Sequence, residues 1–183
     1  MKKKCIRALL GFAMAAFAIA ASAQSESSIY LGANYGKSHY TNGCALGPAP
    51  CEKDRDTGGG LFAGLQFNRW LGLEGGWHTP GNLRVGRMDI KTNLVDLNGV
   101  LTVPIQGRFG AYIKGGVYHG DMKSDAGDVR HDGGTFGWGL QYNAGASGAV
   151  RAEYQRFLKM GGGQLPDTTH IDMITVGLLF RIH

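Results

Sequence analysis

The sequence predicts an all-β fold: an eight-stranded antiparallel up-and-down transmembrane β-barrel, preceded by a cleavable signal peptide. Three observations carry that expectation. Beyond the N-terminal segment, large apolar residues alternate with small or polar ones at period two, and no helix-period segment of convincing length appears. Glycine makes up 31 of 183 residues against 5 prolines, and it lies within the alternating runs rather than in low-complexity tracts. The connections alternate long and short along the chain, so an up-and-down sheet collects every long one at the same end.

The first element is the signal. Lys2, Lys3, Lys4 and Arg7 precede an apolar stretch from Ala8 to about Ala20, and Ala21-Ser22-Ala23 follows. That order predicts cleavage after Ala23, with residues 1–23 as signal peptide and 24–183 as the barrel domain. The apolar part is too short and alanine-rich for a membrane anchor. Cys5 lies before the apolar run, which excludes a lipoprotein cysteine. Four of the 19 basic residues precede Ala23 while all 14 acidic residues follow it, so the net charge beyond Ala23 is +1. The basic pI belongs largely to the signal and gives no support for nucleic-acid binding.

The first strand runs from Ile29 to Ser38, with Ile29, Leu31, Ala33 and Tyr35 on one face. A polar stretch to about Thr57 holds Cys44 and Cys51. In an oxidising compartment these form one disulfide, stabilising by about 2.5 kcal/mol. A lone cysteine pair offers too few ligands for zinc. Residues 58–78 form a hairpin. Leu61, Ala63, Leu65, Phe67, Leu71, Leu73 and Trp77 face one way, and glycines, Gln66 and Glu74 the other. After a polar stretch to about Lys91, strand four runs from Thr92 to Val103, and Pro104–Gly107 turns the chain. Strand five, Phe109 to Tyr118, sets Phe109, Ala111, Ile113 and Val117 against Tyr112, Lys114 and Gly116. His119 to Gly133 is expected to be a third long polar loop. Strand six alternates Phe136, Trp138, Leu140 and Tyr142 with Thr135, Gly137, Gly139 and Gln141. Strand seven sets Val150, Ala152 and Tyr154 against Arg151, Glu153 and Gln155. Leu158 to His170 is a fourth long stretch. Strand eight sets Ile174, Val176, Leu178, Phe180 and Ile182 against Thr175, Gly177, Leu179 and Arg181.

Eight strands of about ten residues, short turns at one end and long loops at the other, describe an outer-membrane barrel. Its apolar face meets lipid and its glycine and polar face lines the lumen. Closure leaves no unpaired edge in the hydrocarbon. Lipid-facing aromatics are then Tyr35, Phe67, Trp77, Phe136, Trp138, Tyr142, Tyr154 and Phe180, with those near strand ends forming interfacial girdles. The lumen carries Glu74, Asp96 and Glu153 against Lys114, Arg151 and Arg181, three of each sign. Such a set is either a satisfied polar plug or a gate over a narrow water path, and the plug is favoured because eight strands leave a lumen nearly filled by side chains.

On these residues the chain resembles the eight-stranded transmembrane domain of OmpA-type outer-membrane proteins. The opening strand Ile29-Tyr30-Leu31-Gly32-Ala33-Asn34-Tyr35-Gly36, the hairpin at 61–77, Val150–Gln155 and the Val176-Gly177-Leu178…Phe180-Arg181 ending carry the likeness. The resemblance implies an interior ion-pair network, with Glu74 and Arg151 on matching positions. Val100 and Gln141 replace further charged members, so the network is expected to be thinner. It also implies recognition by the barrel assembly machinery through Phe180 and Ile182, with His183 closing the chain. The family's peptidoglycan-binding domain is not expected here.

The expected role is structural and surface-interacting, in the outer membrane of a Gram-negative cell reached by general secretion. Outer-membrane lipid and lipopolysaccharide, and an extracellular surface or host ligand met by the loops, are the expected partners of a monomer. The alternative is a small porin-like pore. A lipid A-modifying enzyme is third: the deacylase family carries a His-x-Ser pair near its last strands, whereas this chain has Arg151-Ala152-Glu153-Tyr154-Gln155-Arg156-Phe157. No catalytic residue, cofactor or metal is expected. His39, His78, His119, His131 and His170 read as residues at or beyond the outer strand ends, and Arg156, at the outer rim, as a residue within reach of lipid A phosphate.

Overall fold

The computed structural model describes residues 27–41, 51–53, 55–85, 88–124, 127–161 and 168–182. The signal segment, Cys44 and His183 lie outside them, and so does the expected Cys44–Cys51 bridge.

Ten strands form: β1 (Ser28–Thr41), β2 (Cys51–Lys53), β3 (Arg55–Gln66), β4 (Leu71–Thr79), β5 (Asn82–Val85), β6 (Met88–Gln106), β7 (Phe109–Ser124), β8 (Gly127–Asn143), β9 (Gly148–Gly161) and β10 (Thr168–Ile182). Eight of them close into an antiparallel barrel in the order β1-β3-β4-β6-β7-β8-β9-β10, and β10 pairs back onto β1 from Ile29↔Ile182 to Thr41↔His170. The short β2 and β5 extend the outer end beside β6. Each of the eight strands pairs with a neighbour on both sides, as a sheet crossing hydrocarbon requires.

Short turns sit at one end. Asn68 Oδ1 accepts from the Trp70 and Leu71 amides at 2.8 and 2.9 Å, fixing the β3–β4 turn. In the β6–β7 turn Gln106 pairs with Phe109 around Gly107, whose φ of 59° is the positive value a two-residue hairpin needs at its first central position.

The outer end differs from expectation. Within His119–Gly133 the described residues are strand, not loop. β7 and β8 stay in register from Phe109↔Tyr142 to Ser124↔Gly127, and Arg130 and His119 add cross-strand pairs to Asp121 and Asp132. The other polar stretches likewise contain strand. Past the lipid the outward face meets water, so hydrophobic alternation stops while backbone pairing continues.

Outward faces are apolar across the middle. Leu31, Leu61, Trp77, Leu97, Ile113, Trp138, Val176 and Phe180 are all substantially exposed. The named aromatics Tyr35, Phe67, Phe136 and Tyr142 also point outward, and Tyr154 is half-buried against Trp138 with ring centroids 6.0 Å apart. Phe109 and Tyr142 stack at 5.0 Å near the short-turn end. These sets lie where the two interfacial girdles belong.

Inside, glycine makes room for rings. Tyr30 lies across from Gly64, Tyr112 across from Gly139 and Tyr118 across from Gly133. A Cβ built at Gly64 or Gly139 would come within 2.4 Å of the Tyr30 hydroxyl or 2.6 Å of the Tyr112 hydroxyl. The ring covers its cross-strand glycine, a pairing that both fills the lumen and aims the phenol inward.

Candidate functional site

The candidate site is the lumen with its two mouths. Its lower half is ionic. β4 supplies Glu74, β7 Lys114, and β9 Arg151 and Glu153, all with side chains turned inward and buried. Arg151 Nη1 lies 2.5 Å from Glu74 Oε2, and Lys114 Nζ bridges Glu74 Oε1 at 3.2 Å and Glu153 Oε1 at 2.8 Å. Tyr30 donates to Glu74 at 2.9 Å and Tyr112 to Glu153 at 2.6 Å. Arg151 Nε donates to Gln141 at 2.9 Å. Its guanidinium is walled by Tyr30, Phe62 and Tyr112, with ring centroids 5.1, 5.3 and 4.7 Å away. Two cations and two carboxylates balance, each charge carrying at least two partners, which is what makes buried charge tolerable.

Asp96 stands one level further out. Gln155 Nε2 donates to it at 2.6 Å and also reaches Thr135 Oγ1 at 3.0 Å. His78 Nε2 lies 3.3 Å from Asp96, and both side chains are almost fully enclosed. His78 is therefore a lumen residue, not one of the outer-end histidines it was grouped with. Its parity with Glu74 on β4 was the available signal. Asn34 Oδ1, His78 Nδ1 and both amide atoms of Asn98 are buried here with no hydrogen-bond partner among the described residues.

Further out the lumen is largely apolar. Tyr40, Ile90, Leu94, Tyr118, Met122, Phe157, Met160, Ile171 and Met173 form one buried cluster, and Phe157 packs edge-on to Tyr118 at 5.4 Å. The half nearest the short turns combines the ion pairs with a smaller buried cluster of Tyr30, Phe62, Ala149 and Leu179, and the outer half also buries Ser38, Thr92 and Thr169. Rings and thioethers, projecting inward from the strand extensions, stop the outer half as a small soluble core would.

Arg181 stands apart from the network. Its Nη2 donates to Asn143 Oδ1 at 2.8 Å, and no described carboxylate reaches it. It lines a cavity of about 220 Å³ at the short-turn mouth together with Arg69, Arg151, Gln66 and Asn143. Sequence reading also missed Tyr30, Tyr112 and Gln155 as members of the lattice. Their inward parity was visible, but their partners come from strands far away in the chain.

At the opposite rim, just beyond Ile174, Asp172 accepts from Tyr154 at 2.6 Å, from Arg156 Nη2 at 2.8 Å and from Thr41 at 3.0 Å. Burial opposes its ionisation, but these three donors hold the carboxyl below the usual aspartate range. Arg156, which parity offers to a lipid phosphate, is committed to Asp172. Lys37, Arg55, Tyr154 and Arg156 line an open groove of about 660 Å³ around it. Among the described residues no group of three metal-ligating side chains occurs.

The comparisons agree with this architecture. The family model for the outer membrane protein beta-barrel domain matches residues 8–181. Outer membrane protein A of Serratia marcescens is 31% identical over 208 residues, and that of Escherichia coli O157:H7 29% over 195, each alignment covering 99% of this chain. The chain spans about half the length of these relatives, 56% and 55% respectively. Among solved structures, Neisserial surface protein A aligns with a TM-score of 0.66 at 14% identity, covering 86% of this chain and all of that one. The N-terminal β-barrel domain of Pseudomonas aeruginosa OprF aligns at 0.58 and 18%, covering 85% and 97%. Apolar outward faces, a closed strand order and a full-length family match lead to one assignment: the chain belongs to the outer membrane protein beta-barrel domain family and resides in the outer membrane of a Gram-negative cell.

Proposed function

We propose that the protein is a closed, non-catalytic outer-membrane barrel that acts as a monomer, stabilising the membrane and presenting its outer end to surfaces or host ligands. The observation that carries this reading is the double stopper in the lumen. The Arg151–Glu74–Lys114–Glu153 lattice occupies one half and the Phe157-centred apolar cluster the other. A water path must breach both, and desolvated ion pairs beneath a dry core present a high barrier to ions.

The rival reading is a narrow pore. The unpartnered polar atoms of Asn34, His78 and Asn98 between the stoppers favour it, because they supply a hydrated station partway along such a path. Planar-bilayer recording on the refolded chain separates the two. The closed reading expects no steady unitary current. Ohmic steps that persist at constant voltage would replace it with the pore. The enzyme reading is tested by lipid A mass spectra of cells with and without the protein, which are expected to be the same; an altered acyl pattern would overturn the non-catalytic assignment.

A further inference from the structure

The short-turn mouth has a charge that the lumen does not balance. Arg69 lies in the β3–β4 turn, Arg108 in the β6–β7 turn and Arg181 near the end of β10. Among the described residues this end of the barrel holds no Asp or Glu. Among the described residues the lattice carboxylates, Glu74 and Glu153, already serve Arg151 and Lys114. Among the described residues the Arg181 side chain has one hydrogen bond, to a neutral amide, and it lines the same cavity as Arg151. The Arg69 guanidinium rests 5.2 Å over the Trp70 ring and makes no ion pair among the described residues.

Two of these cations, Arg69 and Arg181, line a concavity. The cavity of about 220 Å³ is lined by Arg69 and Arg181, with Asn143, Gln66 and Thr102 between them, and its floor is the Tyr30–Arg151 level of the lattice. Asn143 Oδ1 receives both Arg181 and Gln141 Nε2, each at 2.8 Å, which fixes the position of the Arg181 fork. The main chain helps to hold that strand end, since the Arg181 amide donates to Ser147 O at 2.7 Å. A planar guanidinium held in place and a second one on a turn, with the Asn143 amide and Thr102 hydroxyl in the wall, form a receptor for a tetrahedral oxyanion.

We propose that the periplasmic mouth binds a phosphate group, held by Arg181 with Arg69 closing over it. The chemistry is the same whether the group is free phosphate or the headgroup of an anionic phospholipid in the inner leaflet. Trp70, exposed beside Arg69, anchors the turn at the lipid interface and brings it within reach of both sources. Binding supplies a counter-charge that the described residues do not give Arg181, and stops the mouth directly beneath the ion-pair lattice.

The test uses the refolded chain in zwitterionic nanodiscs at low salt, titrated with inorganic phosphate and followed by the arginine Nε–Hε NMR signals and by calorimetry. Saturable binding is expected, weakened tenfold or more in Arg181→Gln and unchanged in Arg130→Gln, an exposed residue at the opposite end. Arg69→Gln is the second variant, on an exposed turn whose loss leaves the barrel intact, and it is expected to weaken binding as well. Absence of saturation in the wild type, or equal affinity in Arg69→Gln, would overturn the site. Repeating the titration in nanodiscs containing phosphatidylglycerol assigns the source. Competition by the lipid identifies the headgroup as occupant, and unchanged affinity identifies free phosphate.

Discussion

Glu74 is the residue on which the lumen turns. It joins Arg151 to Lys114 and receives the Tyr30 phenol, so three side chains from three other strands converge on one carboxylate. Glu74→Gln removes the charge with little change in shape. It leaves Arg151 with Gln141 and its three rings, and Lys114 with Glu153 alone. Breaking one partner of a buried pair costs about 3–5 kcal/mol. The expected outcome is a urea midpoint in lipid vesicles lowered by a comparable amount, with the barrel still formed. A midpoint equal to wild type would show that the lattice is solvated and contributes little. Pairing at this level was only partly open to sequence reading. Parity placed all six expected charges on the inner face, but parity is blind to height and to which strand stands opposite. Hence Arg181 reads as a network member in the sequence, while in space it lies at the mouth against Asn143.

At the scale of the strand, glycine does two jobs that the sequence does not distinguish. Gly139 sits inward beneath Tyr112, where a Cβ would lie 2.5 Å from Ala152 O and 2.6 Å from the Tyr112 hydroxyl. Gly115 points outward, and a Cβ there meets nothing closer than 3.8 Å. Gly139→Ala must push on backbone and displace the phenol that binds Glu153, an overpacking cost of about 1–3 kcal/mol. Gly115→Ala is expected to be neutral or slightly stabilising, since it relieves glycine's entropy cost in a strand. Folded fraction on heat-modifiable gels and the urea midpoint read both; equal losses in the two variants would refute the steric account. The hairpin of β7 and β8 carries the other lesson at this scale. Its outer part was expected as a loop because its residues are Gly, Asp, His and Arg. It is strand because the backbone partners across the pair keep their register, which composition does not report.

For the molecule as a whole, the proposed closed reading places the two stoppers in series. Removing the outer one, by Phe157→Ala with Ile171→Ala, leaves the ion-pair lattice in place. Removing Arg151 leaves the apolar cluster in place. Each variant alone is expected to stay closed, and the combined variant to conduct steadily in planar bilayers once circular dichroism shows the barrel formed. Steady current in either single-layer variant would mean that one stopper alone carries the seal. The exterior needs no such test of arrangement: a continuous apolar surface between two aromatic girdles is stable only against lipid, since water would expose it at about 25 cal/mol per Å².

The sequence by itself determined the class of the protein. Strand parity is a local property, and with eight apolar outward faces and alternating connection lengths it led to a closed barrel in a membrane before any contact was known. The tertiary structure decided what fills that barrel. Which inward residues meet depends on register and closure, and these join residues as distant as Tyr30, Glu74, Lys114 and Arg151. From the same closure come a lumen with its ion pairs in one half and its larger apolar cluster in the other, and a mouth at the short-turn end lined by Arg69 and Arg181. No window of the chain contains these features, because each is assembled from strands that touch only when the first and the last have paired.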